Sequence, residues 1–183
     1  GVELGPLLDR FRAESPVRYP LFTGCSALVK APHVIDDALA VAQEFGAPVG
    51  VGKASGRCCG YPLYAAGALE AFATHARATA RAFSQYHELV VLDPGCAWTM
   101  KVAWANVGVE MPTHIRTLVE VLAENLPHAP PLPPLAESIG YHDSCKLGRG
   151  LGQYDEPRAL LHRAVQTVRE APTAIVTLTA PSA

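Results

Sequence analysis

The stretch 88-ELVVLDPG-95 decides how the rest of the chain is read. Its continuous apolar run suits a strand covered on both faces, and Asp93-Pro94-Gly95 stops it abruptly. Strands buried on both sides belong to parallel sheets flanked by helices. Working outward, 16-PVRYPLFTG-24 is a short apolar run closed by Gly24, and 48-PVGVG-52 is a second; both are expected as strands. Between them, 32-PHVIDDALAVAQEFG-46 has Pro32 near its start and Gly46 as a stop. Val34, Ala38, Val41, Ala42 and Phe45 fall on one face of that helix. The Ala-rich segment 62–87 is helical in pattern, with Leu63, Leu69, Phe72 and Phe83 as its larger apolar residues. Helices are also expected around 97–107 and 113–126.

The stretch 127-PHAPPLPPLAE-137 has five prolines and no periodicity, so it reads as a stiff, extended linker. Beyond it, 138-SIGYHDS-144 reads as a strand and 155-DEPRALLHRAVQTVRE-170 as a helix with Pro157 in its first turn. A final apolar run, 174-AIVTLTA-180, is expected as a strand. Residues 19-YPLFTGCSAL-28 and 139-IGYHDSCKLG-148 share a strand-like run, a small residue and then Cys. Placed just after the linker, the second of these suggests that a second copy of the first unit begins there.

The 183 residues are 49% hydrophobic and 17% charged, which fits a folded chain with a core. A formal net charge of −2 without a basic run gives no reason to expect nucleic acid or an anionic membrane as partner. No apolar stretch is long enough for a transmembrane segment, and no signal peptide is read after Gly1. A start without Met leads us to expect a processed chain or a fragment. The five cysteines, an odd count in a large apolar chain, are unlike a secreted disulfide framework. A cytoplasmic setting is expected, with any membrane association made through partners.

The cysteines carry the chemistry. Cys25 follows the first strand, Cys58 and Cys59 the second, and Cys96 the third. Loops at the carboxyl ends of parallel strands gather along one edge of the sheet, so four thiols are expected to meet there. The vicinal pair sits in 56-GRCCGYPLYAAG-67, where Gly56 and Gly60 allow an unusual turn. Adjacent cysteines do not readily bridge each other, but both can point at one centre. Thiolates prefer soft or borderline metals, which makes iron–sulfur clusters and zinc the candidates. Buried inert thiols and a redox disulfide between Cys25 and Cys58 are the competing readings.

Thirty-two residues separate Cys25 from Cys58, and thirty-six separate Cys59 from Cys96. With 22-FTGC-25, 58-CCG-60, 141-YHDSCKLGRG-150 and 155-DEPRALL-161, this spacing resembles the cysteine-rich CCG domain family. That family includes a heterodisulfide reductase subunit, the iron–sulfur subunit of glycolate oxidase and lactate-utilisation oxidoreductases. The resemblance runs from about residue 19 to residue 170. It implies an iron–sulfur cluster held by Cys25, Cys58, Cys59 and Cys96, with Cys145 a weaker candidate as metal ligand. It also implies a flavin-containing or other redox subunit and a ferredoxin-like module as partners, because the chain shows no nucleotide fingerprint of its own.

Two departures limit what the resemblance implies. Thr99 stands where the family's C-x-x-C has its last cysteine, leaving four thiolates at the first site. Four suffice for a [4Fe–4S] cluster or a tetrahedral zinc but fall short of the noncubane cluster of heterodisulfide reductase. Cys145 would open a second copy, yet no second CCG follows it before Ala183.

Other residues read more plainly. His142 and Asp143 are expected to finish a strand, and His33, His75, His87, His114, His128 and His162 to lie at or near the surface. Lys146 and Arg149 could steer an anionic partner, although two cations are usually a solvated loop. The glycines at 148, 150 and 152 lack the spacing of a dinucleotide fingerprint.

The expectation is therefore an α/β fold: a Rossmann-like, three-layer parallel-sheet unit over residues 1–126, a linker over 127–137 and a partial second unit over 138–183. The expected role is as an electron-transfer component of an iron–sulfur oxidoreductase. A zinc-binding assembly domain and a thiol–disulfide redox protein are the alternatives.

Overall fold

Leu89 and Val91 point to one side of the sheet and Val90 to the other, and all three are fully buried. That alternation, with helices covering both sides, is the three-layer arrangement the sequence predicts. The computed structural model describes residues 4–12, 17, 19–52, 55–131 and 133–171. Among these, a short helix α1 (Gly5–Leu8) precedes strand β1 (Tyr19–Phe22), followed by helices α2 (Cys25–Lys30) and α3 (His33–Glu44). Strand β2 (Val49–Gly50) leads to α4 (Tyr61–Ala65) and α5 (Leu69–Phe83), and β3 (Glu88–Val91) to α6 (Pro94–Trp98). Strand β4 (His114–Thr117) and α7 (Leu118–Asn125) complete a four-stranded sheet in the order β2-β1-β3-β4. Every pairing in it is parallel.

One face of the sheet packs Phe22, Leu89, Val91 and Ile115 against Phe72, Ala76 and Phe83 of α5, with Met100 and Trp104. The other packs Leu21, Val51 and Val90 against Ile35, Ala38 and Ala42 of α3 and Leu118, Val121 and Leu122 of α7. The α3 face therefore differs from the sequence reading. Ile35, Ala38 and Ala42 turn inward, while Val34 and Val41 are exposed.

Several boundaries also shift. The segment 62–87 is two helices, because Gly67 takes a positive φ of 73° between them. The segment 97–107 is a continuation of α6 through a π-helical turn (Thr99–Ala103) and a 3-10 turn (Ala105–Val107). Residues 114–117 are a strand and not the start of a helix. Helix α7 begins after Thr117, whose side chain accepts from the Glu120 N–H while Glu120 caps the Thr117 N–H in return.

Strand β5 (Leu135–Tyr141) begins inside the segment read as linker and pairs in parallel with β6 (Val165–Glu170). Helix α8 is Asp155–Ala164 only. The sequence expects it to continue to residue 170, but β-branched Val165, Thr167 and Val168 enter the β5 ladder instead. The apolar run 174–180 lies outside the described residues. Among the described residues, no helix is long and apolar enough to cross a membrane.

Candidate metal centre

In the order β2-β1-β3-β4, the connections leaving β1 and β3 diverge to opposite sides of the sheet. Such a switch point opens a crevice at the carboxyl ends of the two strands. Cys25 opens α2 directly after β1, and Cys96 sits in the first turn of α6 directly after β3. Gly24, at φ 76°, keeps the two loops close, since a Cβ there would lie 3.3 Å from Cys96 Sγ. The crevice is lined by Cys25, Cys59 and Cys96, with Tyr61, Asp93 and Lys146 among its other walls, and has a volume of about 330 Å³.

Local interactions hold each thiol. The Asp93 carboxylate accepts the Cys96 N–H at 2.9 Å, capping α6, and Pro94 is set for its first turn. The Thr23 hydroxyl donates to the Ser55 carbonyl at 3.4 Å, joining the β1 loop to the loop that carries the vicinal pair. In that loop His75 Nε2–H donates to the Cys58 carbonyl at 2.7 Å. A carbonyl can only accept, so this bond fixes the histidine tautomer. Trp104 Nε1–H donates to the Cys59 carbonyl at 3.0 Å. Gly60 takes φ 85°, and a Cβ there would meet His75 Cδ2 at 2.9 Å and Phe72 Cδ2 at 3.1 Å. Only glycine tolerates both the conformation and the close approach.

Cys58 Sγ lies 3.9 Å from Cys25 Sγ and accepts the Gly60 N–H at 3.3 Å. Burial, and then the neighbouring Cys58, raise the Cys25 thiol above its ordinary pKa. Cys58 is raised by its hydrogen bond with Cys59 and then by burial. For Cys59, the hydrogen bond with Cys58 acts downward, but the bond with Cys96 and burial outweigh it and push the thiol up to about 12. Thiols raised in this way hold their protons at neutral pH when no metal is bound. A soft cation would replace those protons, and its binding would release them.

The structure brings Cys25, Cys59 and Cys96 to the crevice wall and sets Cys58 Sγ 3.9 Å from Cys25 Sγ. As the side chains stand, no group of three or more His, Cys, Asp or Glu among the described residues is set to hold a metal ion. The donor chemistry fits a soft metal centre, and the thiols are spread around a crevice instead of being drawn onto one point. Cys145 is exposed and does not line the crevice. Thr99 is buried, and its hydroxyl donates to the Gly95 carbonyl at 2.7 Å, so that side chain is committed to its own helix. Asp143 pairs with Arg158 at 2.8 Å, and that hydrogen bond holds its carboxyl below the usual range. The sequence reading took His75 for a surface residue and Lys146 for a loop cation that could steer an anionic partner, and it missed Trp104. The only sequence signal for the first was Gly60, which marks a close approach without naming the neighbour.

A parallel α/β sheet with cysteines at its switch-point crevice defines a thiol-rich α/β domain. The sequence profile of the CCG cysteine-rich domain matches residues 19–101, and that part of the chain is a domain of this family. It is 31% identical over 145 residues to a subunit of the fumarate reductase (CoM/CoB) of Methanothermobacter marburgensis, a match covering 79% of this chain and 29% of that one. It is also 31% identical over 163 residues to an uncharacterized iron-sulfur protein of Methanocaldococcus jannaschii, covering 86% and 32% of the two chains. An EtfAB:quinone oxidoreductase of Syntrophomonas wolfei is 26% identical over 152 residues, covering 80% and 21%. The chain thus spans about a third or less of the length of these relatives. No solved structure matches it.

Proposed function

We propose that the chain is an iron–sulfur electron-transfer domain or subunit of a larger oxidoreductase, with Cys25, Cys58, Cys59 and Cys96 as the ligands of a [4Fe–4S] cluster. The observation that supports this reading is that three strand-end loops bring thiols to the β1/β3 crevice: Cys25, Cys59 and Cys96 line it, and Cys58 Sγ lies 3.9 Å from Cys25 Sγ. When bound there, a cluster would supply the storage and release of electrons. The protein's own part is to fix the ligands. His75 and Trp104 hold the carbonyls of the vicinal pair, Asp93 holds the Cys96 amide, and the Gly60 N–H donates to the Cys58 sulfur. Hydrogen bonds to ligand sulfur and burial are the means by which a protein tunes such a centre.

Relatives described as iron-sulfur proteins support iron over zinc and give zinc no support. So does the spread of the thiols, because a cluster places its own atoms between its ligands whereas one zinc ion does not. Thiol–disulfide exchange draws on the Cys25–Cys58 approach, but a reactive thiol needs a lowered pKa and these two are raised. By likeness to relatives described as a fumarate reductase subunit and as an EtfAB:quinone oxidoreductase, the partner is a flavin-containing or other redox protein, or a ferredoxin-like module.

Anaerobic purification followed by iron, sulfide and zinc quantitation tests the reading. Iron and sulfide with a visible absorption band are expected, and their loss in Cys59→Ser. Equimolar zinc in a colourless protein would overturn it.

A further inference from the structure

The cation at the crevice wall comes from the far end of the chain. Lys146 opens a π-helical turn (Lys146–Gly150), beyond the proline-rich stretch and next to exposed Cys145. Its Nζ lies 3.1 Å from the centroid of the Trp98 ring and 5.6 Å from that of Tyr61. Trp98 is itself wedged edge-on against Tyr61 and Tyr64, at 6.4 and 6.3 Å between centroids. Among the described residues, these ring contacts are the interactions of the ammonium, and no carboxylate pairs with it.

The turn that carries Lys146 is fastened to the first sheet. A Cβ on Gly150 would lie 2.8 Å from Trp98 Cδ1, so only glycine lets the turn lie against that ring. Leu147 and Gly148 are buried. Gln153 is also buried, accepting from the Thr117 hydroxyl at 2.7 Å and donating to Glu120 at 2.9 Å. Lys146, which lines the crevice, thus sits on a turn held by packing, with its ammonium over Trp98, unlike a free surface lysine.

A partly buried cation that faces the mouth of a ligand site calls for negative charge there. Four thiolates around a metal supply it. We infer that Lys146 is the counter-charge of the thiolate centre, offsetting the negative charge that Cys25, Cys58, Cys59 and Cys96 carry when they hold metal. The inference rests on reading those thiols as ligands, and not on which metal they hold. Reduction adds an electron to the centre, so a cation held beside it favours the reduced form.

Lys146→Met keeps an unbranched side chain of similar length and removes the charge, and Lys146→Arg keeps the charge. With iron and sulfide content unchanged, Lys146→Met should lower the equilibrium constant for one-electron reduction about tenfold, a midpoint shift of about 59 mV to more negative potential. Lys146→Arg should restore most of it. A wild-type midpoint in Lys146→Met, or an equal shift in Lys146→Arg, would overturn the inference. Should the wild type carry zinc, the electron-transfer reading fails, and competition with a chelator decides the inference instead. Lys146→Met should then release zinc about tenfold more readily, with Lys146→Arg unaffected; equal release in all three overturns it. A wild type that binds neither metal removes both readings together. A urea transition of the metal-free variants checks that the fold survives each exchange.

Discussion

Strands β1 and β5 both lead to a cysteine, and they live in different environments. Leu21 and Phe22 of β1 are fully buried between two parallel neighbours, and Cys25 beyond them faces the crevice. Among the described residues strand β5 has a single neighbour, most of its residues are exposed, and so is Cys145 beyond it. The contrast teaches that a cysteine after a strand is not a site by itself. It becomes one where flanking strands deliver other thiols to the same switch point.

Chemical labelling of the metal-free protein gives the largest contrast. With its thiol pushed up to about 12 from an ordinary 9.0, Cys59 should react with iodoacetamide at neutral pH more slowly than a free cysteine by about two to three powers of ten. Exposed Cys145 should be labelled first, as read by peptide mass spectrometry. Early labelling of Cys59 would break the comparison. The sign of the pH effect follows from the same shift. The folded form favours the protonated thiol, so stability of the metal-free protein is complete below pH 9.0 and declines as pH rises from there toward about 12. Urea midpoints that rise over that range would contradict it.

Core truncation comes next. Leu89→Ala in β3 should cost about 2–5 kcal/mol, whereas Leu135→Ala in β5 should stay within about 0.5 kcal/mol, because Leu135 is 59% exposed. Urea unfolding of the two variants measures the difference directly. Gln153→Leu sharpens the comparison by loosening the later segment from the first sheet. Leaving Thr117 and Glu120 without this partner should cost about 1–3 kcal/mol. For Gly60→Ala the left-handed backbone alone costs about 1–2 kcal/mol. Its stability loss should come with reduced iron content, since the added Cβ pushes on His75, which holds the Cys58 carbonyl.

The parts that a local pattern encodes were legible in the sequence. The apolar run of β3 and the cysteines at strand ends predict both the parallel sheet and the thiol crevice. Strand β4 was hidden because His114 to Thr117 alternate in burial just before a helix, and only the Thr117/Glu120 capping pair separates the two. The change from α8 to β6 could not be read either, since pairing with β5 decides it and no signal near Val165 announces that partner. Lys146 read as a loop cation because its ring partner Trp98 is distant in sequence and close only in the fold.

The crevice also has an order of assembly. Strand β1 pairs with β3 through Leu21 and Val90, so the inner wall cannot close until the third strand has been made. A nascent chain that has emerged only as far as Gly60 already displays Cys25, Cys58 and Cys59, but it lacks Cys96 and the Trp104 that anchors the Cys59 carbonyl. During synthesis the vicinal pair is therefore exposed to stray metals and oxidants well before its own pocket exists.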